Sequence, residues 1–120
     1  MQNRFRYYYA EMNGLSPADM QTLSLDAAFS VQAEVYGARR DAGYFSRGTR
    51  DCINFCVRLA LIDAMFTDGG AKHDAPMPPL LLDDPFVNLD EAHLAKAKRL
   101  LKTLSDRQQI FYFVCHESRA

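Results

Sequence analysis

The sequence has no long apolar run and few cysteines, and each absence excludes a class of protein. No stretch approaches the ~18 consecutive apolar residues of a membrane span, and residues 1–6 lack the apolar core of a secretory signal. The three cysteines are an odd number without the spacing of a disulfide scaffold, which is typical of a reducing compartment. We therefore expect a cytoplasmic protein that does not enter the membrane.

The chain also has almost no net charge, −1 at pH 7, so it has no overall attraction for nucleic acid or a membrane surface. Binding to a polyanion would need a local patch. The arginine-rich stretch over residues 39–50 is a candidate, although we favour a solvated loop. A length of 120 residues allows one domain with a moderate core. The apolar content of 48% and charged content of 24% are ordinary for a soluble globular chain.

The first segment is predicted to be a helix over residues 1–13 that ends at Gly14. Aromatic side chains interleaved with arginines could stack on nucleic acid bases. We favour instead a helix whose apolar face packs on the rest of the domain. That face is expected to comprise Phe5, Tyr8, Tyr9 and Met12.

The next segment shows turn signals followed by alternation of apolar and polar residues. Residues 16–19 predict a single helical turn, because a capping serine is followed by proline and, three residues on, by an acid. Alternation over 23–29 and 31–36 then predicts a pair of half-exposed antiparallel strands. A polar loop over 37–43 is expected to close this element.

Residues 52–66 are apolar over most of a helical circumference, which predicts a buried helix. Cys52 and Cys56 lie four residues apart on it, and we interpret both as core residues. Cys115, at the end of a later strand, is interpreted as a packing residue too. The histidines at 73 and 93 have no ligand partners at metal spacing, so no zinc site is expected.

The most informative stretch is a short apolar run, residues 80–82, that ends in the two acids Asp83 and Asp84. Unbroken apolarity predicts a strand covered on both faces, as in parallel sheets. Ligands of such sheets gather at the carboxyl ends of the strands, so the paired acids are placed for chemistry. Pro85 stops the strand, and an amphipathic helix follows over 90–105.

A second apolar strand over residues 109–115 ends at His116. Strand, helix and strand in this order predict a right-handed βαβ unit, in which both strands are parallel. The acids at 83 and 84 and His116 are therefore expected at the same edge of the sheet.

Residues 45–119 resemble the C-terminal lobe of the ATP-binding-cassette (ABC) ATPase heads of the SMC and DNA double-strand-break-repair families, with RecF-like and large bacterial coiled-coil ATPases nearest in character. Four motifs occur in the order and spacing of that family. The first, residues 45–49, is similar to the signature motif, usually Leu-Ser-Gly-Gly-Gln. The resemblance implies that Ser46, Gly48 and Thr49 contact an ATP held by a partner subunit, at an anion-binding helix start. The alternative is Ser46 as a plain helix N-cap.

The second motif resembles a Walker B strand. The resemblance implies that Asp83 binds Mg²⁺ and that Asp84, in the place of the usual glutamate, acts on the attacking water. Aspartate is one methylene shorter than glutamate, so the hydrolysis rate depends on its positioning. The alternative is a pair of acids that cap a strand end in water.

The third and fourth motifs follow the strand ends. Residues 88–90 resemble the D-loop, which implies that Asn88 and Asp90 contact the partner's nucleotide site; a helix N-cap box is a compatible alternative. His116 resembles the switch histidine, which implies contact with the γ-phosphate.

The phosphate-binding motif Gly-x-x-x-x-Gly-Lys-[Ser/Thr] does not occur in the sequence. In SMC-like proteins it lies in an N-terminal lobe, separated from the C-terminal lobe by a long coiled coil. We therefore expect an α/β fold that is a partial P-loop NTPase, with a parallel βαβ core and a small antiparallel element. Residues 1–14 would form a helix where a coiled coil joins the head, and residues 15–120 would form the C-terminal ATPase lobe.

The resemblance implies one half of an ATP-hydrolysing head that dimerises around ATP, in DNA repair or chromosome maintenance. ATPase activity, with ATP and Mg²⁺ as cofactors, is expected only when an N-terminal lobe complements this chain. That lobe would carry the phosphate-binding motif, which is called Walker A. The expected partners are that lobe, a second copy across ATP and, for the full protein, DNA, with no membrane. The alternatives are a non-catalytic interaction module that keeps the scaffold and a fragment of a transporter-type ATPase.

Overall fold

A computed structural model describes residues 2–15, 23–26, 28, 30–35, 37–40, 45–68 and 77–120. The helices are α1 (Gln2–Asn13), α2 (Arg47–Asp63) and α3 (Glu91–Leu104), and the strands are β1 (Leu23–Leu25), β2 (Val31–Val35), β3 (Ala38–Arg40), β4 (Leu80–Asp83) and β5 (Ile110–Phe113). A π-helical turn (Ala64–Asp68) extends α2, and a 3-10 turn (Glu117–Arg119) follows β5. The helical turn predicted at 16–19 lies outside the described residues. The mixed α/β class is as predicted.

Helix α1 forms as the sequence predicted and ends at Gly14, whose φ of 64° suits a residue without a Cβ. The four side chains of its predicted apolar face are all buried, and the helix packs against both α2 and α3. Burial of one such side chain stabilises the fold by ~1.5–3 kcal/mol. The aromatic face is thus part of the core, which confirms the favoured interpretation.

A polar network joins the middle of α1 to the end of α2 and to the turn that follows α3. The Tyr8 hydroxyl donates to the Asp63 carboxylate and accepts a hydrogen bond of 2.5 Å from Arg107, which also pairs with Asp63 at 2.7 Å. Burial, followed by the contact with Asp63, raises the pKa of Tyr8 well above its usual value. Asp63 is itself buried, so the carboxylate is compensated in the way a buried charge requires.

The antiparallel sheet has the order β1-β2-β3, with Leu23 opposite Ala33. The two antiparallel strands form where they were predicted, although β1 ends at Leu25 and does not reach residue 29. The prediction of a loop over 37–43 was wrong in its first part, since Ala38–Arg40 forms β3. Val35 pairs with Ala38, so the hairpin is tight, and Gly37 has the positive φ (75°) that suits such a turn. A strand of one alanine and two arginines carries no apolar pattern that predicts it.

Helix α2 begins five residues earlier than its predicted apolar stretch, at the residue after Ser46. Its buried side chains lie on one side: Cys52, Ile53, Phe55, Cys56, Leu59, Ala60 and Asp63. Asn54 and Arg58 are exposed, and in the π-helical turn Met65 and Phe66 are 61% and 38% exposed. The predicted helix is therefore confirmed, whereas its burial on nearly all sides is wrong.

Strands β4 and β5 are parallel, with Leu80 opposite Ile110 and Asp83 opposite Phe113, as the strand–helix–strand order predicted. Helix α3 connects them and buries one stripe of leucine and alanine side chains. Only one sheet face is covered among the described residues, because Leu81 is 71% exposed and Phe113 is 55% exposed. The expectation of a strand covered on both faces is thus wrong for the part of the chain that the structure describes. No helix within that part is long and apolar enough to span a bilayer.

Candidate functional site

The carboxyl ends of the two parallel strands bring the predicted acids and histidine to one edge. Asp83 is the last residue of β4, and the Asp84 N–H continues the ladder with a 2.7 Å hydrogen bond to the Phe113 carbonyl oxygen. His116 lies three residues beyond Phe113, at the start of the 3-10 turn. Its side chain makes no capping hydrogen bond there and is exposed. The predicted convergence at one sheet edge is confirmed.

Asp84 has an unusual backbone, with φ of 45°. A non-glycine residue in the left-handed region costs of order 1–3 kcal/mol, and such residues cluster at functional sites. A hydrogen bond between the Cys115 thiol and this carboxylate, followed by the charge of the carboxylate, raises the pKa of Cys115. Cys115 is exposed, so its interpretation as a packing residue is wrong.

The start of α2 has the geometry of a capped helix. The Ser46 Oγ accepts a 3.2 Å hydrogen bond from the Thr49 N–H, and the Ser46 hydroxyl donates to Thr49 Oγ1 at 2.9 Å. Ser46 is therefore the N-cap, as the plain alternative held. Helix geometry gives the N–H groups of Arg47 and Gly48 no acceptor within the helix. The contact of this turn with nucleotide remains a prediction.

Gly48 permits a close approach that sequence reasoning missed. A Cβ at this position would lie 2.6 Å from the Asn88 carbonyl oxygen, which is too short for any side chain. Beside this contact, Asn88 Nδ2 donates to Asp51 Oδ2 at 2.6 Å. The first turn of α2 and the turn before α3 are thus held in direct contact, and glycine is required for it.

Asp90 is the N-cap of α3. Its carboxylate accepts a 2.8 Å hydrogen bond from the His93 N–H and also lies 2.8 Å from His93 Nδ1. The backbone hydrogen bond, followed by the side-chain contact, lowers the pKa of Asp90. The capping interpretation of residues 88–90 is confirmed, while their contact with nucleotide remains a prediction.

The predicted site residues fall into two groups that line different cavities. A cavity of about 260 Å³ is lined by five of them: Ser46, Gly48, Thr49, Asn88 and Asp90. Asp83 and Asp84 line another cavity of about 500 Å³, together with Asp51 and Arg58 of α2. His116 is not among the lining residues of either cavity.

Arg119 holds the loops of the site together and was also missed from the sequence. Its Nη2 donates to the carbonyl oxygens of Phe86 and Leu89, the second at 2.7 Å, within the turn between β4 and α3. Its own carbonyl oxygen accepts a 2.9 Å hydrogen bond from the Tyr112 hydroxyl. The segment that carries His116 is therefore fastened to the turn that carries Asn88. No periodic pattern marks such an arginine.

The donor chemistry of these residues fits Mg²⁺ and a nucleotide phosphate. No group of three His, Cys, Asp or Glu side chains in the described part of the chain could hold a metal ion alone. Mg²⁺ does not need one, since it commonly binds one or two carboxylates plus substrate phosphate oxygens and water. Asp83 is exposed and offers such a carboxylate, while the start of α2 offers N–H groups and a hydroxyl to an anion.

Comparisons with known proteins agree with the resemblance seen in the motifs. The chain is 32% identical to the DNA double-strand break repair Rad50 ATPase of Halobacterium salinarum over 68 residues, which are 57% of this chain. It is 37% identical over 73 residues, 60% of the chain, to the uncharacterised protein YhaN of Bacillus subtilis. The chain spans only 8% and 7% of the length of these two relatives. No protein-family model matches it.

Two solved structures share the fold over 99% of this chain. One comes from work on ATP-driven dimerisation and DNA-stimulated activation of SMC ATPases; its TM-score is 0.65 at 19% identity, and 71% of that chain is covered. The other is the Smc head domain of Pyrococcus furiosus with an extended coiled coil, bound to the C-terminal domain of ScpA; its TM-score is 0.63 at 15% identity, with 29% covered. The chain therefore has the fold of part of an SMC ATPase head, and the predicted resemblance to SMC and Rad50-type heads is confirmed.

Proposed function

We propose that this chain is the C-terminal half of an ATP-hydrolysing head, which an N-terminal lobe with a phosphate-binding loop completes, and that two heads dimerise around ATP. The supporting observation is the division of the site residues between two cavities. A head in such a dimer serves two nucleotides: the acids at the end of β4 act on its own, and the start of α2 acts on its partner's. One continuous pocket would not suit that arrangement.

The roles follow from the chemistry of each group. Asp83 would supply a carboxylate ligand to Mg²⁺, and Asp84 would orient and deprotonate the attacking water. Ser46, Gly48 and Thr49 would bind the partner's γ-phosphate through the N–H groups and a hydroxyl of the first turn. When bound, ATP would supply free energy through hydrolysis of its γ-phosphate bond. His116, whose ring is not used by its own turn, would donate a hydrogen bond to the phosphate of the same head.

The open face of the small sheet supports the need for a second lobe. Leu81, Phe111 and Phe113 are 71%, 40% and 55% exposed on adjacent parallel strands. Parallel sheets are found covered on both faces, and a two-stranded sheet is marginal alone. We infer that the Walker A lobe adds strands to this sheet and covers these side chains.

The cellular role proposed is DNA repair or chromosome maintenance. One relative is named as a double-strand break repair ATPase, and one structural neighbour as an SMC ATPase stimulated by DNA. The net charge of −1 makes this chain a poor DNA-binding surface by itself. DNA contact would therefore belong mainly to other parts of the full protein.

The proposed function is tested by complementation. The chain is combined with a lobe that carries the phosphate-binding loop, and ATP hydrolysis and ATP-dependent dimerisation are measured for wild type, Asp84→Asn and Asp106→Asn. Asp84→Asn is expected to lower kcat about 100-fold or more, the usual loss when a general base is removed, while dimerisation survives. Asp106, exposed in the turn after α3, serves as the control and should change neither. Unchanged turnover in Asp84→Asn would contradict the catalytic role, and dimerisation without any hydrolysis would favour a non-catalytic module.

A further inference from the structure

Three sulfur atoms meet in the buried interface between α1 and α2. Cys52 Sγ lies 3.8 Å and Cys56 Sγ lies 3.5 Å from the sulfur of Met12. The two cysteines are four residues apart on α2, so they share one face of the helix, and their side chains contact each other. Met12 and Cys56 are fully buried and Cys52 is 3% exposed.

The two distances from the Met12 sulfur are close to those expected around a single metal ion. A metal–thiolate bond is about 2.3 Å long, so three sulfurs around one ion in a plane lie about 4 Å apart. The two Met12 distances, 3.8 and 3.5 Å, are slightly shorter. An ion just outside the plane of the triangle, or an outward shift of a few tenths of an ångström, would bring all three sulfurs within bonding distance.

The ligand chemistry selects a soft ion. Two thiolates and one thioether are soft ligands, which favour Cu(I). Zn²⁺ also binds thiolates, but its structural sites almost always have four ligands, and harder cations prefer oxygen ligands. Asn13 Nδ2 donates to Cys52 Sγ at 3.5 Å, which favours the thiolate. The hydrogen bond from Cys56, then that from Asn13, lowers the pKa of Cys52, whereas burial raises the pKa of Cys56. Because both thiols must lose their protons to bind an ion, binding releases protons and strengthens as the pH rises.

The sulfur cluster lies beside a cavity and between two helices. Cys52, 3% exposed, also lines the cavity of about 260 Å³ at the start of α2, so the cluster lies next to that cavity. Because Met12 belongs to α1 and the cysteines to α2, one ion bound to all three would join the two helices.

We propose that Met12, Cys52 and Cys56 form a binding site for a soft monovalent metal ion, Cu(I), that links α1 to α2. No electron transfer is involved: the ion binds as Cu(I), and the two thiols each release one proton. The proposal does not depend on ATP hydrolysis. The competing explanation is that the sulfurs only fill the core, as buried cysteine and methionine often do.

The experiment uses the 120-residue chain with Cys115→Ser, which removes the exposed thiol. Ag(I), a redox-inert analogue, and Cu(I) under anaerobic conditions are titrated against a competing chromophoric chelator. One ion per chain is expected, with a rise in Tm on binding. Met12→Leu keeps the side-chain volume and is expected to weaken binding at least about tenfold, the loss that even outer-shell changes produce.

Met65→Leu is the matched control, since that methionine is 61% exposed and lies in the turn beyond the end of α2. It should leave the affinity unchanged. Cys56→Ser gives a second variant, expected to abolish the one-to-one complex. If Cys56→Ser fails to fold, Met12→Leu still decides, because leucine preserves the packing. Binding that is absent in the parent chain, or undiminished in Met12→Leu, would overturn the proposal and leave the sulfurs as core residues.

Discussion

Substituting alanine for Gly48 tests the contact between the first turn of α2 and the turn before α3. The added methyl group would lie 2.6 Å from the Asn88 carbonyl oxygen, a backbone atom that cannot swing away as a flexible side chain would. Overpacking of this kind costs about 1–3 kcal/mol. The helix preference for alanine over glycine returns at most about 1 kcal/mol. We therefore expect a net loss of about 1–2 kcal/mol in the free energy of unfolding.

The assay is urea unfolding followed by circular dichroism, supported by a fall in Tm of roughly 5–10 °C. Ala92→Gly is the matched control, because Ala92 occupies the same second position of α3 and is exposed. It should cost less than about 1 kcal/mol, from helix propensity alone. If Gly48→Ala instead stabilises the chain, the close approach to Asn88 is not present in solution and the reasoning fails.

Three further substitutions test other parts of the account. Arg119→Gln should destabilise the fold by about 1.5–3 kcal/mol in urea unfolding, because two carbonyl groups lose a charged donor; a comparable loss in the exposed control Arg99→Gln would contradict this. Tyr8→Phe should cost about 1–3 kcal/mol, since Asp63 and Arg107 lose a buried partner, and the exposed Tyr7→Phe should cost almost nothing. His93 lowers the pKa of Asp90 from its ordinary 3.8, so the resulting stability is present above that value and lost as the pH falls through the lowered one. Asp90→Asn, which keeps a capping side chain, should therefore lose less stability than wild type between pH 6 and pH 2; equal losses would argue against the linkage.

The sequence was sufficient for the parts of the fold that depend on local pattern and on topology. The apolar run before Asp83 and the amphipathic helix after it predict a parallel pair of strands, and that pairing fixes which edge carries His116. It was insufficient for β3, whose arginines carry no apolar signal. The sequence pattern also predicted that Leu81 would be buried, whereas it is exposed. An unbroken apolar run indicates a strand with both faces covered, and the described residues cover only one face.

The candidate site also combines features that the sequence predicts with features that it does not predict. The capping roles of Ser46 and Asp90 follow from residue type and local spacing, and the structure has both. The contact of Gly48 with the Asn88 carbonyl and the hold of Arg119 on the neighbouring turn join segments 30 or more residues apart. Such contacts depend on how helices and turns approach in space, and no local periodicity encodes them.

The most direct test of the central claim, that this chain supplies only half of each nucleotide site, is a calorimetric titration with ATP and Mg²⁺. The 120-residue chain alone should show no saturable binding at micromolar concentrations, whereas the chain combined with a Walker A-bearing lobe should bind. Saturable micromolar binding by the isolated chain would contradict the claim.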